Sequence, residues 1–566
     1  MRRPVVVRLA RIAAAALAGA LVATAAGCAS IPTGGPVNQG LTESEDQGVD
    51  VDVLARGPRE GADQQQILEG FIDAAASPTG NYEIARQFLT STFADEWQAD
   101  EATTIDVLAD RSFTQLGDDL IRTRVVPQAS LADDGQYLET GSTEPLQLEY
   151  RFELEDDEWR ISSAPPGVLI DETTFGLVYR EYTLAFYDPQ FRYVVPDVRW
   201  FAGRASAQTS IVRAVLEGAA EWLAPGVVSA FPEDLQLDQA TVPVTDGVAE
   251  VSLSGPAFDS LRTVQLMQYQ LEESLSGVRN VRDVQLSLNG VPLSAPDLSP
   301  PPLRTLRVDP RPVVYDGEAF GYLSSGDAIA GIDGVSDPVV ALVPSGAALG
   351  PDATAAAVLA EGGVYRVAEG SEPELLDPRE GLITPALDVD GITWSVPRTA
   401  PDELAWFDGT GESGQIGVPW NADEIVSIQF SRDGTRLVAL LEDGGRTRVV
   451  AASVQRDDRG IPQALGSVGL ELSPSGGEPL DVAWLDSRTI GTLTATAPGK
   501  TRLTTQELGA PAASRDGPDE GIEVDGANSL RDLRVLTEGG GIATGAGVGW
   551  QEQPRGVRFL ATQQTG

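Results

Sequence analysis

One thiol stands in 566 residues, that of Cys28, inside "TAAGCASIPTGGPV" (Thr24 to Val37). Carboxylates are abundant: 84 Asp and Glu against 40 Lys and Arg, a formal net charge of −44. Close pairs occur at Asp133/Asp134, Asp156/Asp157, Asp388/Asp390 and Asp457/Asp458. Two carboxyls converging in a cleft are what glycoside hydrolysis requires. In a chain this acidic such pairs arise by chance, and each reads first as a solvated turn or face. "DVDG" from Asp388 opens like a calcium loop, but apolar residues alternate through it and no bidentate Glu follows at the needed spacing. It reads as strand. The Gly-rich "TEGGGIATGAG" (Thr537 to Gly547) lacks the Lys-Ser/Thr and the helix of a phosphate loop, so its glycines read as turns and bulges in a sheet.

The chain contains no histidine. That removes the commonest general base, metal ligand and pH switch. Ser-His-Asp and Cys-His catalysis are excluded, and so are zinc sites of the His/Cys type. One cysteine allows no internal disulfide, so burial alone must stabilise the fold. The charge repels nucleic-acid phosphates and anionic headgroups, so no nucleic-acid partner and no electrostatic membrane binding are expected. No catalytic residue, metal ligand or cofactor is assigned.

The surroundings of Cys28 assign it a different chemistry. Arg2, Arg3, Arg8 and Arg11 precede an apolar run from Ile12 to Ala26 that ends in small residues. This is the layout of a secretory signal peptide, residues 1–27. The run is too short for the ~20 residues that cross a bilayer as a helix. Ala25, Ala26 and Gly27 before Cys28 resemble a bacterial lipobox, with Ala25 where leucine is usual. In such a motif the thiol receives a diacylglyceryl group and the new amino terminus is acylated after cleavage. Removing residues 1–27 takes away four arginines and no acid, which moves the charge from −44 to −48. Chains such as palmitate contribute ~0.8 kcal/mol per buried methylene, and two or more anchor stably. Lipid at Cys28 would supply what charge cannot.

Four further regions must carry whatever is tethered. Residues 28–61 form the lipidated start and a Gly/Pro/Ser-rich linker. Residues 62–175 read as an α+β domain. Ile67, Leu68, Phe71, Ile72 and Ala75 share one helical face, and Tyr82, Ala85, Phe88 and Leu89 share a second. "LQLEYRFELEDDEWRI" then alternates Leu146, Leu148, Tyr150, Phe152 and Leu154, turns, and returns through Trp159 and Ile161. "EWRISSAPPGVLI" is expected to close one curved sheet around a filled core. Residues 178–294 read as a second α+β domain. It has a hairpin turning at Asp188-Pro189, helices through Ile211 to Ala219 and Val264 to Leu275, and turns at Asp246-Gly247 and Asn289-Gly290.

After the proline cluster "SAPDLSPPPL" (Ser294 to Leu303) no helical period is found. Residues 303–566 carry four passages like variants of one unit: 386–397, 427–441, 481–494 and 530–550. Their spacing is near that of a propeller blade. The fold class is thus multidomain: two small α+β domains followed by an all-β propeller of five or six blades. A first strand near Leu306 is expected to close the ring with the last blade.

Together "GCASIPTGGPV", "YDPQFRYVVPDVRW", "NGVPL" and "FSRDGTRLVAL" resemble the LpqB lipoprotein family of actinobacteria, over nearly the whole chain and in the order of its parts. The resemblance implies lipidation at Cys28, a central domain of the GerMN sporulation and germination type, and a C-terminal β-propeller. It also implies a link to the MtrA–MtrB two-component system through the extracellular domain of the sensor kinase MtrB, with effects on cell wall, division and morphology. It supplies no catalytic residue. The expected function is a non-enzymatic accessory at the extracytoplasmic face of the cell membrane. The alternatives are a small-ligand sensor and a carboxylate-based enzyme acting on the cell wall.

Overall fold

The computed structural model describes residues 55–140, 144–202, 207–257, 260–324, 328–473, 476–546 and 549–565. The signal peptide, Cys28 and most of the linker lie outside the described residues.

Helix Gln64–Ala75 starts at a capping box: the Asp63 carboxylate accepts the Gln66 N–H at 2.9 Å, and the Gln66 side chain accepts the Asp63 N–H at 3.1 Å. Its expected apolar face is buried at Ile67, Leu68, Phe71, Ile72 and Ala75. The second helix, Thr79–Arg86, buries Tyr82 and Ala85. A third, Ser91–Glu96, is capped by Thr90. Trp97 fastens these pieces together, its ring 5.0 Å from Phe71 and 5.8 Å from Tyr82.

Two four-stranded sheets follow, not one. Strands Ser112–Gln115, Leu120–Val125, Leu146–Glu155 and Glu158–Ser163 form an antiparallel sheet in that order. Tyr150 and Phe152 point into the core, whereas Leu146 and Leu154, at the two ends of their strand, stay exposed. "EWRISSAPPGVLI" does not close this sheet. The chain breaks at Pro165-Pro166, and Val168–Asp171 crosses to the other sheet, where it runs parallel to Ala102–Asp106. Gly167 makes that crossing possible. Its φ is +80°, and a Cβ there would lie 2.1 Å from the Ala102 carbonyl oxygen.

The second region is built on the expected hairpin, Tyr179–Tyr187 with Val194–Ala202, paired in register along nine residues. Asp188 closes its turn by accepting the backbone N–H groups of Arg192 and Tyr193, each at 2.6 Å. Helix Leu261–Leu275 connects the parallel strands Val248–Ser254 and Asp283–Leu288. Two of its polar residues, Gln270 and Ser274, are buried against the hairpin. The Gln270 amide donates to the Ala185 carbonyl at 2.8 Å, and Ser274 accepts the Ala185 N–H at 2.9 Å. Both backbone groups of a buried strand edge are thereby satisfied.

Among the described residues the remaining strands form a propeller of six blades, five of them four-stranded and the one that begins at Glu424 carrying a fifth strand, Leu470–Leu472. Five have inner strands beginning at Gly346, Ala386, Glu424, Glu478 and Gly521. The sixth is shared between the two ends of the region. Phe559–Gln563 is its inner strand and pairs antiparallel with Val313–Tyr315, which Phe320–Leu323 and Ile329–Ala330 follow. The same strand runs parallel to Gly346–Leu349 of the next blade. The ring is therefore closed by a strand from each end, and the first of them is Val313–Tyr315 rather than one near Leu306. The region is not wholly β: the short helix Ser336–Ala341 lies within it.

The repeat read from the sequence has a physical cause in three of its four passages. An aspartate closes the turn between the inner strand and the next by accepting backbone N–H groups. Asp388 accepts those of Asp390 and Ile392, Asp433 that of Thr435, and Asp486 those of Arg488 and Thr489. The fourth passage is out of phase by one hairpin; its turn joins Arg534–Thr537 to Gly541–Ala546, and the Thr537 hydroxyl accepts the Gly541 N–H.

Candidate functional site

Cys28 and its neighbours Ala25, Ala26 and Gly27 lie outside the described residues. The carboxylate pairs can be placed. Asp156 and Asp157 are exposed in a turn, and Asp457 and Asp458 are in another, as expected. The other two pairs are not merely solvated. Asp134 accepts from the buried Arg199 at 2.9 Å. Asp388 is fully buried and lies in a turn, not a strand. Its second oxygen accepts Trp394 Nε1 at 2.9 Å and Arg456 Nη2 at 2.6 Å. Each oxygen of Asp388 thus has two donors, which leaves the group no spare capacity for acid/base work.

These carboxylates sit at seams between regions. Arg199, on the central hairpin, forms ion pairs with Asp197 at 2.8 Å and with Asp134 of the N-terminal region at 2.9 Å. Burial alone would lower its pKa, but Asp197 and Asp134 together hold it above the ordinary guanidinium value. Beside it, Trp200 stacks near Phe175 and Tyr137 and donates through Nε1 to the Gly509 carbonyl of the propeller at 2.9 Å. Three regions therefore meet within two consecutive residues.

The seam between the central region and the propeller is apolar. One continuous buried cluster contains Leu184, Phe186, Trp222 and Leu223 of the former with Leu440, Val449, Leu472 and Trp484 of the latter. The Ala224–Gly226 turn lies against strand Arg446–Arg456. A Cβ on Gly226 would stand 2.9 Å from Ser453 Cβ and 3.0 Å from the Val454 nitrogen. Sequence patterning marks these strands as half-buried but says nothing of what covers them. On the polar side Arg488 donates to the Thr183 hydroxyl at 2.6 Å and pairs with Glu507 at 2.9 Å. Burial pushes Glu507 up to about 7, with Glu181 adding to the rise and Arg488 opposing it.

The N-terminal region has the filled core expected of it, and beside that core lies an open cleft of about 650 Å³ lined in part by exposed residues. Helix Gln64–Ala75 forms one wall with Glu69 and Asp73, and the 55–59 segment supplies Arg56 and Arg59. Leu169, Ile170 and Asp171, on the strand paired with Ala102–Asp106, also line it, with Leu108 and Arg111. There Arg111 makes a fork with the buried Asp106, at 2.6 and 3.0 Å, and Asp171 spends both oxygens on Thr174. Among the described residues, no group of three His, Cys, Asp or Glu is placed to hold a metal ion.

Three family models match in succession. Residues 57–176 match the N-terminal domain of lipoprotein LpqB, residues 183–294 the sporulation and spore germination domain, and residues 322–559 the LpqB beta-propeller domain. Lipoprotein LpqB of Bifidobacterium longum is 26% identical over 504 residues, covering 82% of this chain and 82% of the relative. That of Thermobifida fusca is 29% identical over 302 residues, 50% of this chain and 48% of the relative. Among solved structures, TolB from Acinetobacter baumannii covers 72% of this chain and 79% of its own at 9% identity, with a TM-score of 0.25, too low to carry an argument. A propeller preceded by two small α+β regions, with these matches in this order, defines a propeller-bearing bacterial lipoprotein. The chain belongs to the LpqB lipoprotein family.

Proposed function

We propose that this chain is a membrane-anchored accessory of a sensor kinase that does no chemistry of its own. Lipid at Cys28 holds it at the extracytoplasmic face of the cell membrane. The folded body engages the extracellular domain of the kinase MtrB and so influences cell wall, division and morphology. The observation that carries this reading is the hydrophobic cluster shared by the central region and the propeller. A shared apolar core makes the two one rigid body, suited to presenting a fixed surface and unsuited to opening and closing around a substrate. Three buried carboxylates of the propeller are committed to structure: Asp388 to Arg456 and Trp394, Asp433 to Arg436, Asp377 to Arg379.

The test uses the mature chain carrying Cys28→Ser, titrated into the kinase extracellular domain by calorimetry. Saturable binding is the expected result. No heat and no crosslink at about 50 μM, weaker than roughly 6 kcal/mol of association, would remove the kinase as partner. In cells, Cys28→Ser should leave the membrane fraction. Full retention there would refute the anchor independently of the partner.

A further inference from the structure

Among the buried arginines of the described residues, one lacks a counter-ion. Arg199 and Arg436 are each 1% exposed, and each holds a carboxylate, Asp197 and Asp433 respectively. Arg432 is 5% exposed and forms no ion pair among the described residues. Its Nη1 donates to the Gln563 carbonyl, and its Nη2 reaches the Gly526 and Ala527 carbonyls at 3.4 and 3.5 Å. Its Nε, shielded from solvent, has no acceptor. Burial pulls the guanidinium down to about 10, and Asp525 and Asp486 oppose the fall without bonding to it. The acids nearby are engaged. Asp433 accepts from Arg436, Thr435 and Ser431, Asp486 from the N–H groups of Arg488 and Thr489, and Asp525 stands 3.9 Å from Arg534. A chain with 84 acids thus leaves one buried cation to neutral carbonyls, an arrangement that costs free energy until an anion completes it.

Arg432 also lines an open cleft of about 280 Å³ at the seam of the central region and the propeller. Two successive propeller turns reach this cleft, one with Arg432 and the next with Ser487 and Arg488. The other charges of the lining are balanced: Arg488 by Glu507 at 2.9 Å, Arg304 by Glu273 at 3.4 Å, Asp433 by Arg436. The surplus is the single positive charge of Arg432. Ser487 is half-buried, and its hydroxyl bonds to nothing else among the described residues. A carboxylate offers two oxygens in one plane. A phosphate group offers three or more in different directions and carries a charge of about −1.5 to −2. Donors from separate turns, a guanidinium and a hydroxyl, suit the second geometry better. The volume is at the lower edge of ordinary ligand sites, about 300 Å³, which favours a small molecule.

We infer that this cleft binds a phosphate group, free or as a small monoester, with Arg432 supplying the opposite charge and Ser487 a hydroxyl. The site asks nothing of the kinase reading and stands whether or not that partner is right.

The probes are inorganic phosphate, glycerol 3-phosphate and acetate, each titrated by calorimetry into the full mature chain carrying Cys28→Ser. The phosphates should bind one to a chain, and acetate about tenfold more weakly or worse. The tighter of the two phosphates tells whether the free ion or a monoester fits the site. Arg432→Gln should weaken both about tenfold or more. It should also abolish the rise in melting temperature that phosphate gives the parent chain, a linkage that a merely structural arginine would leave in place. Arg432 ties down Gln563, so the melting temperature without ligand checks that this variant folds. Ser487→Ala removes a hydroxyl that holds nothing in the fold and should weaken phosphate about threefold. No binding of either phosphate at about 10 mM overturns the assignment. So does acetate as tight as phosphate, or an affinity that Arg432→Gln leaves unchanged. Where that variant does not fold, an affinity that Ser487→Ala leaves unchanged overturns it equally.

Discussion

Arg192 of the central hairpin turn reaches the propeller turn at Asp390, Nη1 to Oδ1 at 2.7 Å, while its Nε holds Asp188 at 3.0 Å. Asp390 in turn lies 3.7 Å from Arg456, which is bound to the buried Asp388. A chain of alternating charges thus crosses the seam from the hairpin to the inner turn of a blade. Arg192 and Asp390 are partly exposed, so the pair is screened. A double-mutant cycle with Arg192→Ala and Asp390→Ala should give a coupling of about 0.5–1 kcal/mol by urea denaturation. Zero coupling would mean that this ion pair contributes nothing to the seam.

Arg199 is a different case, because it and Asp197 are buried together, with Asp134 partly exposed beside them. Arg199→Met leaves Asp197 buried beside no cation and removes the bond to Asp134. The expected loss is about 3–5 kcal/mol. It should appear in calorimetry as separation of an early transition for the N-terminal region. A single unshifted transition would contradict it.

Gly226 tests the apolar seam. Gly226→Ala drives a methyl to 2.9 Å from Ser453 Cβ and against backbone at Val454. The strand cannot yield without disturbing the blade, so a loss of about 1–3 kcal/mol is expected. Limited proteolysis should then cut between the central region and the propeller, where the native chain resists.

The propeller holds acids whose protons are retained on folding. Burial pushes Glu523 up to about 8, Asp481 and Asp525 adding to the rise while the bond from the Leu560 N–H opposes it. Burial likewise pushes Asp481 and Asp525 to about 6. A carboxyl with a raised folded pKa binds more protons folded than unfolded, so its contribution is full below the unfolded value and is lost as pH rises through the folded one. Stability should therefore fall between about pH 4.5 and 8, by on the order of 2–4 kcal/mol for Glu523 alone. Glu523→Gln keeps an acceptor for Leu560 and should flatten that slope in urea titrations at stepped pH. An unchanged slope would remove Glu523 as its source.

The sequence carried local structure well and long-range structure poorly. The apolar faces from Ile67 and from Val264 announce two helices, because periodicity acts within a few residues. The repeated passages at 386–397, 427–441 and 481–494 announce the blades for the same reason, although Asp388 reads as strand and stands in a turn. The parallel pairing of Val168–Asp171 with Ala102–Asp106 is invisible locally, since the strand reads the same beside either neighbour. The burial of Asp388 was missed because Arg456, its partner, lies 68 positions away. The N-terminal cleft was missed on similar grounds: Arg56, Asp73 and Arg111 come from three separate segments and carry no shared spacing. Cys28 was legible as chemistry because lipidation is read from a linear motif.

The closing strand Phe559–Gln563 has a consequence for how the molecule comes into being. Its pairings with Val313–Tyr315 and Gly346–Leu349 join residues more remote in sequence than those of any other blade. Such contacts form late and slowly. Until they form, two blades lack their common member and both flanks of the ring present open strand edges, which invite pairing with other chains. A chain delivered unfolded across a membrane would be exposed in this half-made state. The clasp is thus the point at which a chaperone, a crowded envelope or a truncating mutation would decide between a finished ring and an aggregate.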